Sequence, residues 1–134
     1  MAGETFGDYT GNFLVIKTDR NGNMQWNQTY GGELREIAYS LVETSDGGYA
    51  VAGYTWSFSS GEIDCWLIKT DSEGNMQWHQ SYGGESSDYA YSLIETSDGG
   101  FAIAGGPLLI KTDGLGVVPE DYSFLFIEHQ SCQK

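Results

Sequence analysis

The segment from Ile16-Lys17-Thr18-Asp19 to Ala52-Gly53 returns as Ile68-Lys69-Thr70-Asp71 to Ala104-Gly105, a displacement of 52 residues. Across residues 13–54 and 65–106 roughly two thirds of positions are identical, and most differences are conservative, such as Tyr49 to Phe101, Val51 to Ile103 and Thr29 to Ser81. A unit this long, built from short β-type runs and Gly-rich turns, cannot bury its apolar faces alone. It must stack on neighbours, as blades and solenoid coils do. The duplication therefore constrains architecture and assembly, and says little about chemistry.

Each unit holds four β-type runs. Strands are expected at 13–18, 24–30, 37–44, 49–55, 65–70, 76–82, 89–96, 101–105 and 108–112, with no helix. Ser45-Asp46-Gly47-Gly48 and Ser97-Asp98-Gly99-Gly100 supply residues that tolerate positive φ between alternating runs, so they read as tight hairpins. Asp19-Arg20-Asn21-Gly22-Asn23 and Asp71-Ser72-Glu73-Gly74-Asn75 read as a second hairpin in each unit. Tyr30-Gly31-Gly32 and Tyr82-Gly83-Gly84 then open a longer polar connection, which suits a crossing from one sheet to the next.

Period-2 alternation puts Ile37, Tyr39 and Leu41 on one face and Ala38, Ser40 and Val42 on the other, while Tyr49 and Val51 oppose Ala50 and Ala52. Faces that are bulky on one side and small on the other suit stacked sheets. Trp26 with Tyr30, and Trp78 with Tyr82, are the expected plugs between them. A third Ile-Lys-Thr-Asp, Ile110 to Asp113, follows the second after only 42 residues, so ten residues around Tyr54–Ile63 have no counterpart there. The repeat is expected to end at Asp113, leaving 114–134 as a tail.

Composition narrows the partners. With 19 acidic against 6 basic residues the net charge is −13, which disfavours nucleic acid, since phosphate binding needs clustered Lys and Arg. An anionic membrane surface is disfavoured for the same reason. Apolar residues at 40% and aromatic ones at 14% still make this a folding composition. Cys65 and Cys132 give no disulfide framework, and Cys65, inside an apolar run, reads as a small core residue. The start Met1-Ala2-Gly3-Glu4-Thr5-Phe6 lacks the basic and apolar regions of a secretory signal.

The units Ser-Asp-Gly-Gly-(Tyr/Phe)-Ala-(Val/Ile)-Ala-Gly, Trp-Leu-Ile-Lys-Thr-Asp-x-x-Gly-Asn-Met-Gln-Trp and Tyr-Gly-Gly-Glu-x-x-(Glu/Asp)-x-Ala-Tyr-Ser-Leu resemble the blade repeats, about 50 residues long, of uncharacterised archaeal-type β-propeller-like surface proteins. The resemblance spans residues 13–113. It implies an all-β fold of four-stranded antiparallel blades, and a cell-surface or secreted location. Val118-Pro119-Glu120 resembles the start of an archaeal surface-sorting signal, but Asp121 stands where Phe is expected and no membrane helix follows, so no membrane insertion is expected.

In that frame the chain divides into a partial blade (6–32), a complete blade (33–84), a partial blade (85–113) and the tail. Within the complete blade the strand order runs from 37–44 innermost, through 49–55 and 65–70, to 76–82 outermost. Propellers close at about four to eight blades. The expectation is a homo-oligomer of two to four chains, in which strands 13–18 and 24–30 complete the blade begun by 89–105 of another copy; the alternative reading is a piece of a longer propeller.

Chemistry is sparse. Trp56 and Phe58, with Glu62 and Asp64 nearby, lie in or beside the longest polar loop, and aromatic faces next to carboxylates suit carbohydrate, or a protein ligand. Glu43 and Glu95, at matching positions, are the basis of the alternative, a polysaccharide-acting enzyme using rim carboxylates. The oxygen donors around Asp19 and Asp71 begin like calcium loops, but the twelfth positions are Tyr30 and Tyr82, so hairpin chemistry is the better reading. His79 and His129 build neither a metal cluster nor a triad. Asn27-Gln28-Thr29 has the form of a glycosylation sequon. No catalytic residue, metal site or cofactor is expected. The chain reads as a non-enzymatic, self-assembling scaffold or binding module.

Overall fold

The computed structural model describes residues 2–4, 11–59, 62–84, 87–106 and 109–119. Ten strands form three antiparallel sheets, and no helix occurs among the described residues. The first sheet is β1 (Ala2–Glu4), β2 (Phe13–Thr18) and β3 (Met24–Tyr30), in that order. The second is β4 (Glu36–Glu43), β5 (Tyr49–Thr55), β6 (Asp64–Thr70) and β7 (Met76–Tyr82), a four-stranded meander in the order expected. The third is β8 (Tyr89–Glu95), β9 (Phe101–Gly106) and β10 (Leu109–Thr112).

The turns form as their residues require. Gly22, Gly47, Gly74 and Gly99 all have φ between 83° and 86°, the left-handed region where a side chain is strained. At the second hairpin of each unit one carboxylate organises the turn: Asp19 Oδ1 accepts the N–H of Asn21 (2.8 Å) and of Asn23 (3.0 Å), and Asp71 does the same for Glu73 and Asn75. These oxygens are engaged in turn chemistry, as read from the sequence.

Three features depart from the sequence reading. First, β1 pairs with β2 through Ala2↔Val15 and Glu4↔Phe13, just as Ala52 of β5 pairs with Leu67 and Tyr54 with Cys65. Ala2-Gly3 is thus a short echo of Ala52-Gly53 and Ala104-Gly105, and the first sheet begins before residue 6. Second, the repeat outlasts Asp113. Gly116 has φ 77° and Asp113 Oδ1 accepts the N–H groups of Leu115 and Val117 (both 2.9 Å), which is the Asp71–Asn75 turn again. The rest of the expected tail, 120–134 with Cys132 and His129, lies outside the described residues.

Third, the alternation in β4 is broken. The register with β5 shifts between Ala38 and Ser40, making Tyr39 the extra residue of a bulge, and β8 repeats this at Tyr91. Ala38 and Leu41 consequently pack on one side of the second sheet and Val42 on the other. Strict alternation had put Ala38 with Val42.

The core lies between sheets. Phe13, Val15 and Tyr30 of the first sheet pack on Val51, Trp66 and Ile68 of the second, with Phe13 and Trp66 ring centroids 4.7 Å apart. On its other side Ala50, Ala52, Cys65 and Leu67 pack on Leu93, Phe101, Ile103 and Ile110 of the third. Every residue of β6 is buried, because a sheet lies on each of its faces. Cys65 is a core thiol, as expected, donating to the Tyr82 carbonyl (3.1 Å).

The aromatic plugs behave as read, with one addition. Trp26 packs edge-on against Tyr49 of the next sheet, and Trp78 against Phe101. A Cβ on Gly74 would stand 2.8 Å from the Trp26 ring, and one on Gly116 2.5 Å from Trp78. The Tyr30 hydroxyl donates to the Gly74 carbonyl and the Tyr82 hydroxyl to that of Gly116. Each joint therefore consists of a Trp and a Tyr on an outer strand, seated over the turn glycine of the following sheet.

β10 sits beside β9 and β1 beside β2, so each incomplete sheet already has three strands. Joining strands 13–18 and 24–30 of one copy to 89–105 of another would therefore have to accommodate six strands rather than four.

Candidate functional site: a groove at the loop end of the second sheet

The eight-residue connection from β5 to β6 has no counterpart between β9 and β10, where positions 107–108 alone intervene. That extra loop builds a groove of about 320 Å³ lined by Leu34, Trp56, Ser59, Glu62, Ile63 and Ser87. Trp56 leaves 47% of its surface exposed and Leu34 51%, which gives the groove apolar walls. The loop is pinned at its start: the Trp56 N–H donates to the Arg35 carbonyl (3.0 Å), and the Leu34 N–H to Ser57 Oγ (2.9 Å). Ser59 Oγ donates to the Trp56 carbonyl (3.1 Å). Ser87 Oγ donates to Glu62 Oε2 at 2.7 Å, fixing one carboxylate oxygen at the groove wall.

Two of the four candidate binding residues, Trp56 and Glu62, thus meet in one groove. Phe58 does not line it. Its ring stacks on Trp66 (5.1 Å between centroids) and lies 5.1 Å from His79, whose Nδ1 accepts the Trp66 indole N–H (3.1 Å). Asp64 is fully buried beneath the loop, beside Gly83 and Asp88. Ile63 closes the loop itself, while Leu34 and Ser87 come from the connections leading into β4 and β8, and both stand at breaks in the repeat: Leu34 opposite Ser86, and Ser87 opposite Arg35.

Glu95 has a structural partner. Its Oε2 accepts the Ser45 N–H (2.8 Å) and its Oε1 the Ser45 hydroxyl (2.9 Å), tying β8 to the hairpin of the preceding sheet. Both of its oxygens are engaged across a sheet boundary.

The connections between sheets carry buried acids. Glu36, wholly buried at the start of β4, accepts from Thr55 Oγ1 (2.9 Å) and the Ser57 N–H (3.1 Å) on one oxygen and from the Gly32 N–H (3.0 Å) on the other. The Asn12 amide, oriented by this network, donates to Glu36 Oε2 at 3.2 Å. The Glu36 N–H donates to the Gly11 carbonyl (2.6 Å). One carboxylate so latches the first sheet to the second.

Among the described residues no group of three or more His, Cys, Asp or Glu side chains is placed to hold a metal, and no helix is long and apolar enough to cross a membrane. No family model matches the chain, and no curated protein matches it in sequence.

Proposed function

We propose that the chain is a non-enzymatic, self-assembling β-propeller-like module, displayed at a cell surface or secreted, that binds carbohydrate through the groove around Trp56. The observation that carries it is the state of the two outermost sheet faces. Leu14 and Ile16 on the first sheet are half-buried, whereas their counterparts Trp66 and Ile68 are 1% and 0% exposed. On the third sheet Ile94 and Leu109 are 56% and 38% exposed, whereas Leu67, the counterpart of Leu109, is 0% exposed. The end faces therefore repeat residues that the internal joints bury. Stacking the third sheet of one copy on the first sheet of another continues the same packing.

Such a contact is head to tail, so it forms a ring only if the rotation closes. With three sheets per chain, two copies give six sheets, the one multiple of three within the range of about four to eight at which propellers close. Covering the exposed part of a large apolar side chain contributes ~1 kcal/mol. Eight such side chains over two contacts compare with an association cost of ~4–15 kcal/mol, so the dimer should dissociate on dilution.

The groove favours sugar because it combines an exposed indole face with a positioned carboxylate, at a volume near the lower end of ligand sites, about 300–1,000 Å³. Glu95, engaged by Ser45, supports a structural role over hydrolysis. A glycan array tests the binding: the wild-type chain should give ligands, and Trp56→Ala should lose them while melting within about 1 °C of wild type, since the ring is exposed. Turnover of a polysaccharide that Glu43→Gln with Glu95→Gln abolishes would instead establish the enzyme.

A further inference from the structure

The latch between the first and second sheets has a counterpart between the second and third, but its chemistry is changed. Asp64 takes the place of Asn12, Asp88 that of Glu36, and Gly83 that of Gly31. The backbone is conserved: the Asp88 N–H donates to the Ile63 carbonyl (2.7 Å) as Glu36 N–H does to Gly11 (2.6 Å). The donors are not. Asn12 supplied an amide, and Asp64 offers a second carboxylate instead. Thr55 supplied a hydroxyl, and the corresponding position 107 is Pro, which has no polar hydrogen. The Ser57 N–H came from the loop that the third unit lacks.

Asp88 is 0% exposed, and among the described residues neither of its carboxylate oxygens has a hydrogen-bond partner. Asp64 is also 0% exposed. The two acids face each other across Gly83: a Cβ there would stand 2.2 Å from Asp64 Oδ1 and 3.0 Å from Asp88 Oδ2. Glycine is what lets both oxygens converge. Burying the Asp88 carboxylate without donors is strongly unfavourable, and a second carboxylate beside it adds repulsion. A cation removes both penalties at once.

We propose that Asp64 and Asp88 bind a divalent cation of the calcium type, which latches the second sheet to the third as hydrogen bonds latch the first to the second. Calcium accepts an irregular set of carboxylate, carbonyl and water oxygens, whereas magnesium demands near-octahedral order. The site departs from the absence of metal expected from the sequence, and it is independent of the groove and of self-assembly.

The test is the melting temperature of the full chain in EDTA, calcium or magnesium, with direct binding measured by terbium luminescence. Calcium at a hundred times its Kd should raise the melting temperature by about 5–10 °C, with magnesium less effective. Asp88→Asn should abolish both the shift and the terbium signal. Asp64→Asn, which restores the amide of the first latch, should fold without calcium and no longer respond to it. Absence of terbium binding to the wild-type chain would overturn the proposal. So would a melting temperature of the wild-type chain that is the same in EDTA, calcium and magnesium.

Discussion

The phenol of Tyr82 donates its proton to the carbonyl of Gly116, across the boundary between the second and third sheets, with Trp78 lying over the same glycine. Tyr30, Trp26 and Gly74 repeat this one sheet earlier. The turn glycine serves twice there, by adopting a positive φ and by leaving room for an indole. Gly22 serves only once, since a Cβ on it would meet nothing within 4 Å. Gly22→Ala should therefore cost only backbone strain, ~1 kcal/mol, while Gly74→Ala and Gly116→Ala should cost ~2–4 kcal/mol once displacement of the ring is added. Urea midpoints of the three variants decide this. Equal losses would show that the joints do not hold the sheets together.

The same joints should be sensitive to alkali. Burial, and secondarily the charge of Asp71, push the Tyr30 phenol from 10.0 up to about 12. Burial drives Tyr82 further in the same direction, helped by the Cys65 thiol and Asp113. A pKa raised on folding means that the stability is fully present below about pH 10 and is lost as pH rises toward 12 and beyond. Tyr30→Phe and Tyr82→Phe should each cost ~1 kcal/mol at neutral pH and should flatten the alkaline decline. A decline of unchanged steepness in the double variant would contradict this origin.

Acid should loosen the first hairpin of each unit. The Thr44 hydroxyl first, then the Gly48 N–H and Lys69, hold the Asp46 carboxyl at about 2 instead of 3.8. Thr96, Gly100 and Lys111 lower Asp98 in the same way. A lowered pKa contributes stability that is present above about 3.8 and lost as pH falls toward 2. The Lys69 ammonium ties this turn to β6 through Asp46 (3.0 Å), Gln77 Oε1 (3.1 Å) and the Thr70 carbonyl (2.8 Å). Both aspartates are solvent-exposed, so each effect is small. Asp46→Asn with Asp98→Asn should reduce the slope of stability between pH 4 and 2, read from denaturant titrations across that range.

The repeat made the hairpins and the strand order legible, because Asp-Gly-Gly and Asp-x-x-Gly admit few backbone paths, and because a Trp four residues before a Tyr on one strand face has to be covered. β1 was not legible, since three residues carry too little periodicity and only Ala2-Gly3 echoes the later units. Neither were the bulges at Tyr39 and Tyr91, which change side-chain facing without changing composition. Of the groove, Trp56 and Glu62 could be found because aromatic and acidic residues stand out in a polar loop. Ile63 and Ser87 could not, because their meeting depends on how consecutive sheets abut. Asp64 was singled out for the wrong surroundings: it lies under the loop and faces Asp88, a contact set by Gly83.

The face-to-face ring is the central claim, and the mass of the full chain in solution tests it most directly. Light scattering coupled to size exclusion should give twice the 14.7 kDa of one chain, falling toward the monomer on dilution, and Ile94→Glu with Leu109→Glu should give the monomer at every concentration. A wild-type chain that stays monodisperse at 14.7 kDa up to high concentration, with its β-sheet circular dichroism intact, would contradict it.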